Sequence, residues 1–338
     1  MVLLGYPPSP VGFNAPVDLA GYTPSGYAVR KGKWDVFEIL FERGDYTVFN
    51  VENGGVWRKE ERGEGGKVKG VGWFDAKGRR ESQEDEHILY VDQGRVVVGV
   101  FDGHGGSECP RYVRDEVGRK LEEGGSVSVE YLLGIDEIGK GKNITGGSTG
   151  NIVQISDRGK NPIIECWNVG DSRAVAVFVN GDGGGVRGVD LSKDHKPDDE
   201  GEVERVEKAG MKVAEGRVVK GGKESLGLSR AFGDYDYKGM EGLEPEQQAI
   251  VAKAEYTQLH DPTTFDSSLV GFTLWGVVVA CDGIWDVMSS QDVANYVVEL
   301  GNEGKDERET GMEVAWRAVE RGTGDNCTVV VARCDGVN

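Results

Sequence analysis

Short valine-rich runs bounded by tight turns constrain this chain more than any other feature. HILYVDQGRVVVGVF, residues 87–101, reads as two strands joined at Asp92-Gln93-Gly94-Arg95, a β-hairpin. NIVQI (151–155), IIECWNVG and RAVAVFVN follow, and the last two flank the turn Gly170-Asp171-Ser172. WGVVVAC (275–281) and CTVVVARC (327–334) read as buried strands. Residues 108–123, 198–209, 291–301 and 309–321 read as helices, the third and fourth amphipathic. Strands that arrive as hairpins, not in β-α-β alternation, build antiparallel sheets covered by helices. The expected class is therefore α+β.

The first 70 residues lack this pattern. Residues 1–27 read as an irregular arm, 34–50 as one or two strands, and the charged, glycine-rich stretch 53–70 as a connector. Residues 1–70 are expected to be an N-terminal extension with no assigned role, free to pack on the domain, which runs 71–338.

Composition excludes some functions. Thirty-nine Lys and Arg oppose 58 Asp and Glu, a net charge of −19. Phosphate backbones and anionic membrane surfaces are both bound by basic residues, so neither nucleic acid nor such a membrane is an expected partner. Fifty-three glycines among 338 residues are more than twice the usual share of roughly 7%. They predict many tight turns. The five cysteines are odd in number and match no zinc spacing, which suits buried thiols in a reducing compartment. No signal-peptide pattern opens the chain, and its apolar runs fall short of the ~20 residues that span a bilayer. The expectation is an intracellular monomer, cytoplasmic or nuclear, without membrane insertion. Glycosylation sequons at Asn143 and Asn326 read as chance matches.

The acidic residues gain meaning from where they fall relative to the strands. Glu84 and Asp85 stand just before the strand that begins at His87, and Asp102 just after the one that ends at Phe101. In a hairpin those positions share one sheet edge. Asp282 follows the strand 275–281 and Asp325 precedes 327–334, so an antiparallel pair brings these two together as well. Taken singly, each is as readily a turn residue, because Asp is common in turns. Gathered at one edge they repel, and hard divalent cations with oxygen ligands would neutralise them. With only four histidines and no cysteine pattern, an all-oxygen Mg²⁺ or Mn²⁺ site is the reading. Glycine follows both Asp102 and Asp282, which lets backbone approach a ligand closely. His104 lies beside the candidate site in DGHGG, a candidate acid.

These residues resemble the metal-dependent protein serine/threonine phosphatases of type 2C, from about Gly72 to Cys334. The motifs occur in the family's order: Arg80 with Glu84-Asp85, VFDGHGG (100–106), GGST (146–149), WNVGDSRAV (167–175), LSKDHKP (191–197), SLGLSRAFGD (225–234), VVACDGIWDV (278–287) and GDNCTVVV (324–331). The resemblance implies a four-layer α/β/β/α sandwich with a centre of two Mg²⁺ or Mn²⁺ ions at one end. It implies that Asp102 bridges the ions, that Gly103 offers its carbonyl, and that Asp282 and Asp325 complete one site. Glu84 then binds the second ion through water, with Asp85 as a supporting acid. Arg80 grips the substrate phosphate, a hydroxide between the ions attacks phosphorus, and His104 protonates the leaving alkoxide. Phosphorylated proteins are the implied partners.

One departure concerns a third, weaker ion. The family often carries an aspartate shortly before Gly-Ser-Thr, where this chain has Lys142-Asn143-Ile144-Thr145. Asp286 is left as a third-site ligand without a partner, so that site is in doubt. Gly183–Gly188 fits G-x-G-x-x-G but leads into no helix, so it reads as a hairpin turn. Arg230 either binds phosphate or braces the sheet. The alternative function is a pseudophosphatase that keeps the fold as a binding module. Retention of Arg80, Glu84, Asp85, Asp102, Asp282 and Asp325 favours catalysis.

Overall fold

The computed structural model describes residues 51–58, 68–92, 94–157, 162–181, 185–222 and 224–334. Its strands are β1 (Val51–Arg58), β2 (Val68–Ala76), β3 (Glu86–Asp92), β4 (Arg95–Phe101), β5 (Gly103–His104), β6 (Gly147–Ser148), β7 (Gly150–Asp157), β8 (Pro162–Val169), β9 (Arg173–Asn180), β10 (Val186–Asp190), β11 (Lys212–Ala214), β12 (Arg217–Lys220), β13 (Glu224–Leu226), β14 (Phe232–Gly233), β15 (Glu255–Leu259), β16 (Phe272–Ala280) and β17 (Cys327–Cys334). Its helices are α1 (Glu108–Glu122), α2 (Val129–Gly141), α3 (Glu200–Lys208), α4 (Pro262–Phe265), α5 (Asp282–Trp285), α6 (Ser290–Asn302) and α7 (Glu307–Glu320).

Two large sheets dominate. One runs β1-β2-β17-β16-β9-β10 and the other β15-β8-β7-β4-β3. Every pairing within both is antiparallel. The strands are apolar on both faces because each face meets a different core. On β4, Val96, Val98 and Val100 join Val277 and Val279 of β16 and Val330 and Ala332 of β17, between the sheets. Val97 and Phe101 point the other way, to Val113, Val117 and Leu121 of α1 and Leu132 of α2. On the far side, Val278 and Ala280 pack with Val293 and Val297 of α6 and Val314 and Ala315 of α7. The layers are thus helix, sheet, sheet, helix. Burying one valine is worth about 1.5–3 kcal/mol. A one-residue slip would exchange both faces, so packing fixes the register and, with it, which residues stand at the strand ends.

Helix ends follow local chemistry. Ser289 and Asp292 form a capping box on α6, and Asp306 and Glu309 form one on α7. The sequence reading missed α2, whose glycines dilute its pattern; Ser128 caps it by accepting the Tyr131 amide at 3.2 Å. It also missed two small sheets, β11-β12-β13 and β14-β6-β5, whose two- to four-residue strands are too short to show a period.

The stretch 53–70, read as a connector, holds most of β1 and the start of β2, which pair antiparallel. The expected boundary at residue 70 therefore falls inside β2. The strands expected at 34–50 lie outside the described residues. The glycine-rich stretch does join a hairpin, β9 to β10, although Gly183 and Gly184 lie outside the described residues.

Candidate active site and metal centre

The two strand-end arguments meet in one cavity. Glu86 pairs with Phe101 at the end of the β3–β4 ladder, so Asp85 and Asp102 stand at the same edge. Ala280 pairs with Val329 near the end of β16–β17, which brings Asp282 and Asp325 to one edge. Arg80, Glu84, Asp102, Gly103, Asp282 and Asp325 all line a cavity of about 460 Å³, and His104 shares its wall. Asp85 is buried behind them, and neither of its carboxylate oxygens has a cationic partner among the described residues; only the Thr328 hydroxyl and the Cys281 thiol lie near enough to ease its charge. Gly103 is required where it stands: a Cβ there would lie 2.4 Å from the Glu84 carbonyl oxygen.

The carboxylates disturb one another. Burial pushes Asp102 well above the usual carboxylate range, and the charges of Asp85, Asp171 and Asp325 add to it. Asp282 is raised likewise, by burial first and then by Asp102 and Asp171. Asp85 is pushed up to about 7, chiefly by burial; Thr328 and Cys281 oppose the shift, and the charges of Asp282 and Asp325 add to it. Glu84 behaves differently: burial opposes its charge, but the Ser82 hydroxyl and the Gly106 amide, at 2.6 and 2.9 Å, hold it below its ordinary value. Asp325 has a basic partner close by, with Arg80 Nη2 at 2.6 Å.

Among the described residues no three acidic, histidine or cysteine side chains are drawn into a closed cage. The donor set still fits hard divalent ions. It is all oxygen, Asp85 is a buried carboxylate with only a hydroxyl and a thiol near it, and the mutual repulsion calls for positive charge from outside the chain.

His104 bonds through Nε2 to the Asp234 carboxylate, at 2.8 and 3.0 Å. Burial would lower its pKa, but the bond and charge of Asp234 outweigh this and raise it, favouring the protonated ring. Asp286 is the C-cap of α5 and lies off the cavity wall. Burial raises it; Lys196 opposes the shift and Asp171 reinforces it.

Several residues of the site escaped the sequence reading. Asp171, read only as a turn residue, lines the cavity and is held by Lys196 at 2.6 Å. The strand-end rule that singled out Asp102 applies to it too, since it links β8 to β9. Thr149 accepts the Asp102 amide at 3.0 Å through its hydroxyl and donates its own amide to the Asp102 carbonyl at 2.9 Å. Asn326 laces the loop bearing Arg80 and Glu84 to β17: it donates to the carbonyls of Lys77 and Ser82 and accepts the Glu84 amide. It is buried, which leaves its sequon no room for glycan. Arg230 is a brace, paired with Glu202 at 2.7 Å and bonded to the Lys253 carbonyl.

The family model for protein phosphatase 2C matches residues 70–327. The chain belongs to the protein phosphatase 2C family. Membership makes it an enzyme of the protein serine/threonine phosphatase class. A Paramecium tetraurelia relative, "Probable protein phosphatase 2C 6", is 34% identical over 247 residues, 65% of this chain and 75% of the relative. A probable protein phosphatase 2C of Caenorhabditis elegans is 32% identical over 285 residues, covering 77% and 73%. Among solved structures, a Toxoplasma gondii phosphatase superposes with a TM-score of 0.65 at 25% identity, over 81% of this chain and 96% of its own. Two antiparallel sheets with helices outside are thus both this phosphatase's architecture and one it shares with a solved relative.

Proposed function

We propose that this phosphatase is catalytically active and metal-dependent, and that it hydrolyses phosphoserine and phosphothreonine in proteins. One observation carries the reading: Asp102 and Asp282, half-buried and without an ion-pair partner among the described residues, line the same cavity as Arg80 and His104. A scaffold that had given up turnover would have no need to keep such a costly cluster.

Asp102, the Gly103 carbonyl, Asp282 and Asp325 would hold one Mg²⁺ or Mn²⁺ ion, and Asp102 and Glu84, with Asp85 behind them, a second. Bound there, the pair would acidify water and offset phosphoryl charge. The chain supplies the rest. Arg80 exchanges its bond to Asp325 for the phosphoryl oxygens, which its planar fork matches. Asn326 fixes the loop that carries Arg80 and Glu84. His104 delivers a proton to the departing seryl or threonyl oxygen, a poor leaving group unaided. Asp171 supplies the acidic neighbour that Asp286 lacked in the sequence reading, which supports a third, weaker ion between them. Five buried free thiols support action in a reducing compartment, cytoplasm or nucleus. Among the described residues no helix is long and apolar enough to cross a membrane.

The test is phosphate release from a phosphothreonine peptide in Mn²⁺, in Mg²⁺ and in excess EDTA. Turnover with either ion and none in EDTA is expected. Undiminished turnover in EDTA would remove the metal role, and silence under every condition would make the chain a binding module.

A further inference from the structure

The smallest sheet among the described residues is β14-β6-β5. β5, β6 and β14 are two residues each, too short to stabilise anything by themselves. Their register sets His104 opposite Gly147, and Gly147 opposite Gly233, with Asp234 next along the chain. His104 and Asp234 therefore stand on either side of a central strand that has no side chain at Gly147. Their side chains meet across that gap at 2.8 Å. A Cβ on Gly147 would lie 2.3 Å from Asp234 Oδ2 and 2.3 Å from His104 Nε2.

Asp234 is also held in an unusual backbone state. Its φ is +50°, the left-handed region that non-glycine residues seldom occupy. Strain of that kind persists where surroundings enforce it. Here the Asp234 amide donates to the Gly146 carbonyl at 3.0 Å, and the Gly233 amide to Asp136 at 2.8 Å. Asp136 is locked by Lys238 at 2.7 Å, a pair whose side chains are only 5% and 4% exposed. The Asp234 side chain is 9% exposed and that of His104 31%, so the imidazole reaches the cavity while the carboxylate is covered.

We propose that Asp234 is the positioning residue for the general acid: it engages Nε2 of His104 and thereby assigns Nδ1 to the leaving-group oxygen. The proposal rests on the phosphatase reading above. As the P–O bond breaks, its electron pair stays on the seryl or threonyl oxygen, which takes the Nδ1 proton. Water leaves its hydroxyl on phosphorus and gives its other proton to solvent, from which the imidazole is reprotonated.

The experiment uses the full chain in Mn²⁺ with two substrates, a phosphoserine peptide and p-nitrophenyl phosphate, whose leaving group needs little protonation. Asp234→Asn should lower kcat on the peptide about 10- to 100-fold, with KM nearly constant and a much smaller loss on p-nitrophenyl phosphate. In a His104→Ala background the same change should add little. Gly147→Ala, which drives the two side chains apart from the opposite direction, should give the same leaving-group selectivity and keeps the test alive if Asp234→Asn folds poorly. Equal losses on both substrates in both variants would overturn the proposal, as would a full additive loss in the His104→Ala background. Should the wild type hydrolyse neither substrate, the phosphatase reading fails on its own. The side-chain ¹⁵N resonances of His104 then decide: an Nε2 signal unmoved by Asp234→Asn would overturn the pairing as well.

Discussion

Two groups of carboxylates in this molecule are treated in opposite ways. Glu202, on α3, is surrounded by donors: Arg230 Nη2 and Arg205 Nη1 each at 2.7 Å, and the Ser229 hydroxyl at 2.5 Å. Burial opposes its charge, but the Arg230 bond, the Arg205 charge and Ser229 together bring it down to about 2. Asp85 is as deeply set, and Asp102 and Asp282 are half-buried at the cavity wall, yet their charged neighbours are mostly other carboxylates, and all three are pushed up. A chain that can pair a buried carboxylate with two guanidiniums in one place leaves three uncompensated in another. The first arrangement secures a fold. The second stores a demand for positive charge, which is what a metal site needs.

The widest gap between the two should open under neutralisation. Asp102→Asn is expected to lower kcat/KM on a phosphothreonine peptide by at least about 10³-fold, because the transition state loses its central electrostatic support. In EDTA the same variant should be as stable as the wild type or more so, since burial and three like charges disfavour Asp102 in its charged form. A metal-free Asp102→Asn protein that melts well below wild type would dissolve the comparison.

Glu202→Gln should do the reverse. It leaves Arg205 and Arg230 buried without their counter-charge, at a cost of about 3–5 kcal/mol in urea unfolding. Turnover per folded molecule should stay near wild type, because Glu202 is absent from the cavity wall. A large kcat loss with stability intact would show that this cluster serves the site directly.

Much of this contrast was legible before the structure. The hairpin of residues 87–101 put Asp85 and Asp102 at one edge by topology alone, and the ladder agrees. What escaped was set by long-range contact. Glu202 and Arg230 are 28 positions apart and meet only once α3 packs under the LSRAFGD segment. Asp234 and His104 are 130 apart and meet across a glycine, a relation that no local period encodes. Asp171 was visible as a strand-end acid but read as a turn, because Gly-Asp-Ser is also ordinary turn chemistry. The β1–β2 pairing was hidden by glycine and charge, which resemble a linker when no partner strand is known.

The two groups should also separate by pH. In EDTA, Asp85 has a folded value of about 7 against an ordinary 3.8, so its stabilising contribution is complete below about pH 4 and is lost as pH rises through about 7. Asp102 and Asp282, raised as well, extend that loss upward. Glu202 runs the other way: at about 2 against 4.5, its contribution is complete above about pH 4.5 and is lost as pH falls toward 2. The metal-free Tm should therefore rise as pH is lowered from about 8 to about 5, then fall in stronger acid. Saturating Mn²⁺ should flatten the upper limb and leave the acid limb in place. Calorimetry across that range checks both, and a flat upper limb in EDTA would mean that the aspartates do not repel as argued.

The smallest effect is expected where the two groups blend. Asp171 lines the cavity, like Asp102 and Asp282, yet it has a cation of its own in Lys196 at 2.6 Å, like Glu202. Lys196 also feels Asp282, so its charge reaches the cavity aspartates and would compete there with the proposed divalent ions. Lys196→Met keeps the length of the side chain and removes the charge. It should lower the Mn²⁺ concentration needed for half-activation about threefold, an effect of less than about 1 kcal/mol, as befits a lysine in part exposed to solvent. Titration of phosphatase activity against free Mn²⁺ reads this directly. A higher half-activation point would mean instead that Lys196 serves the ions by holding Asp171 in place, and Asp171 would then belong with Glu202, among carboxylates whose partner is part of the fold.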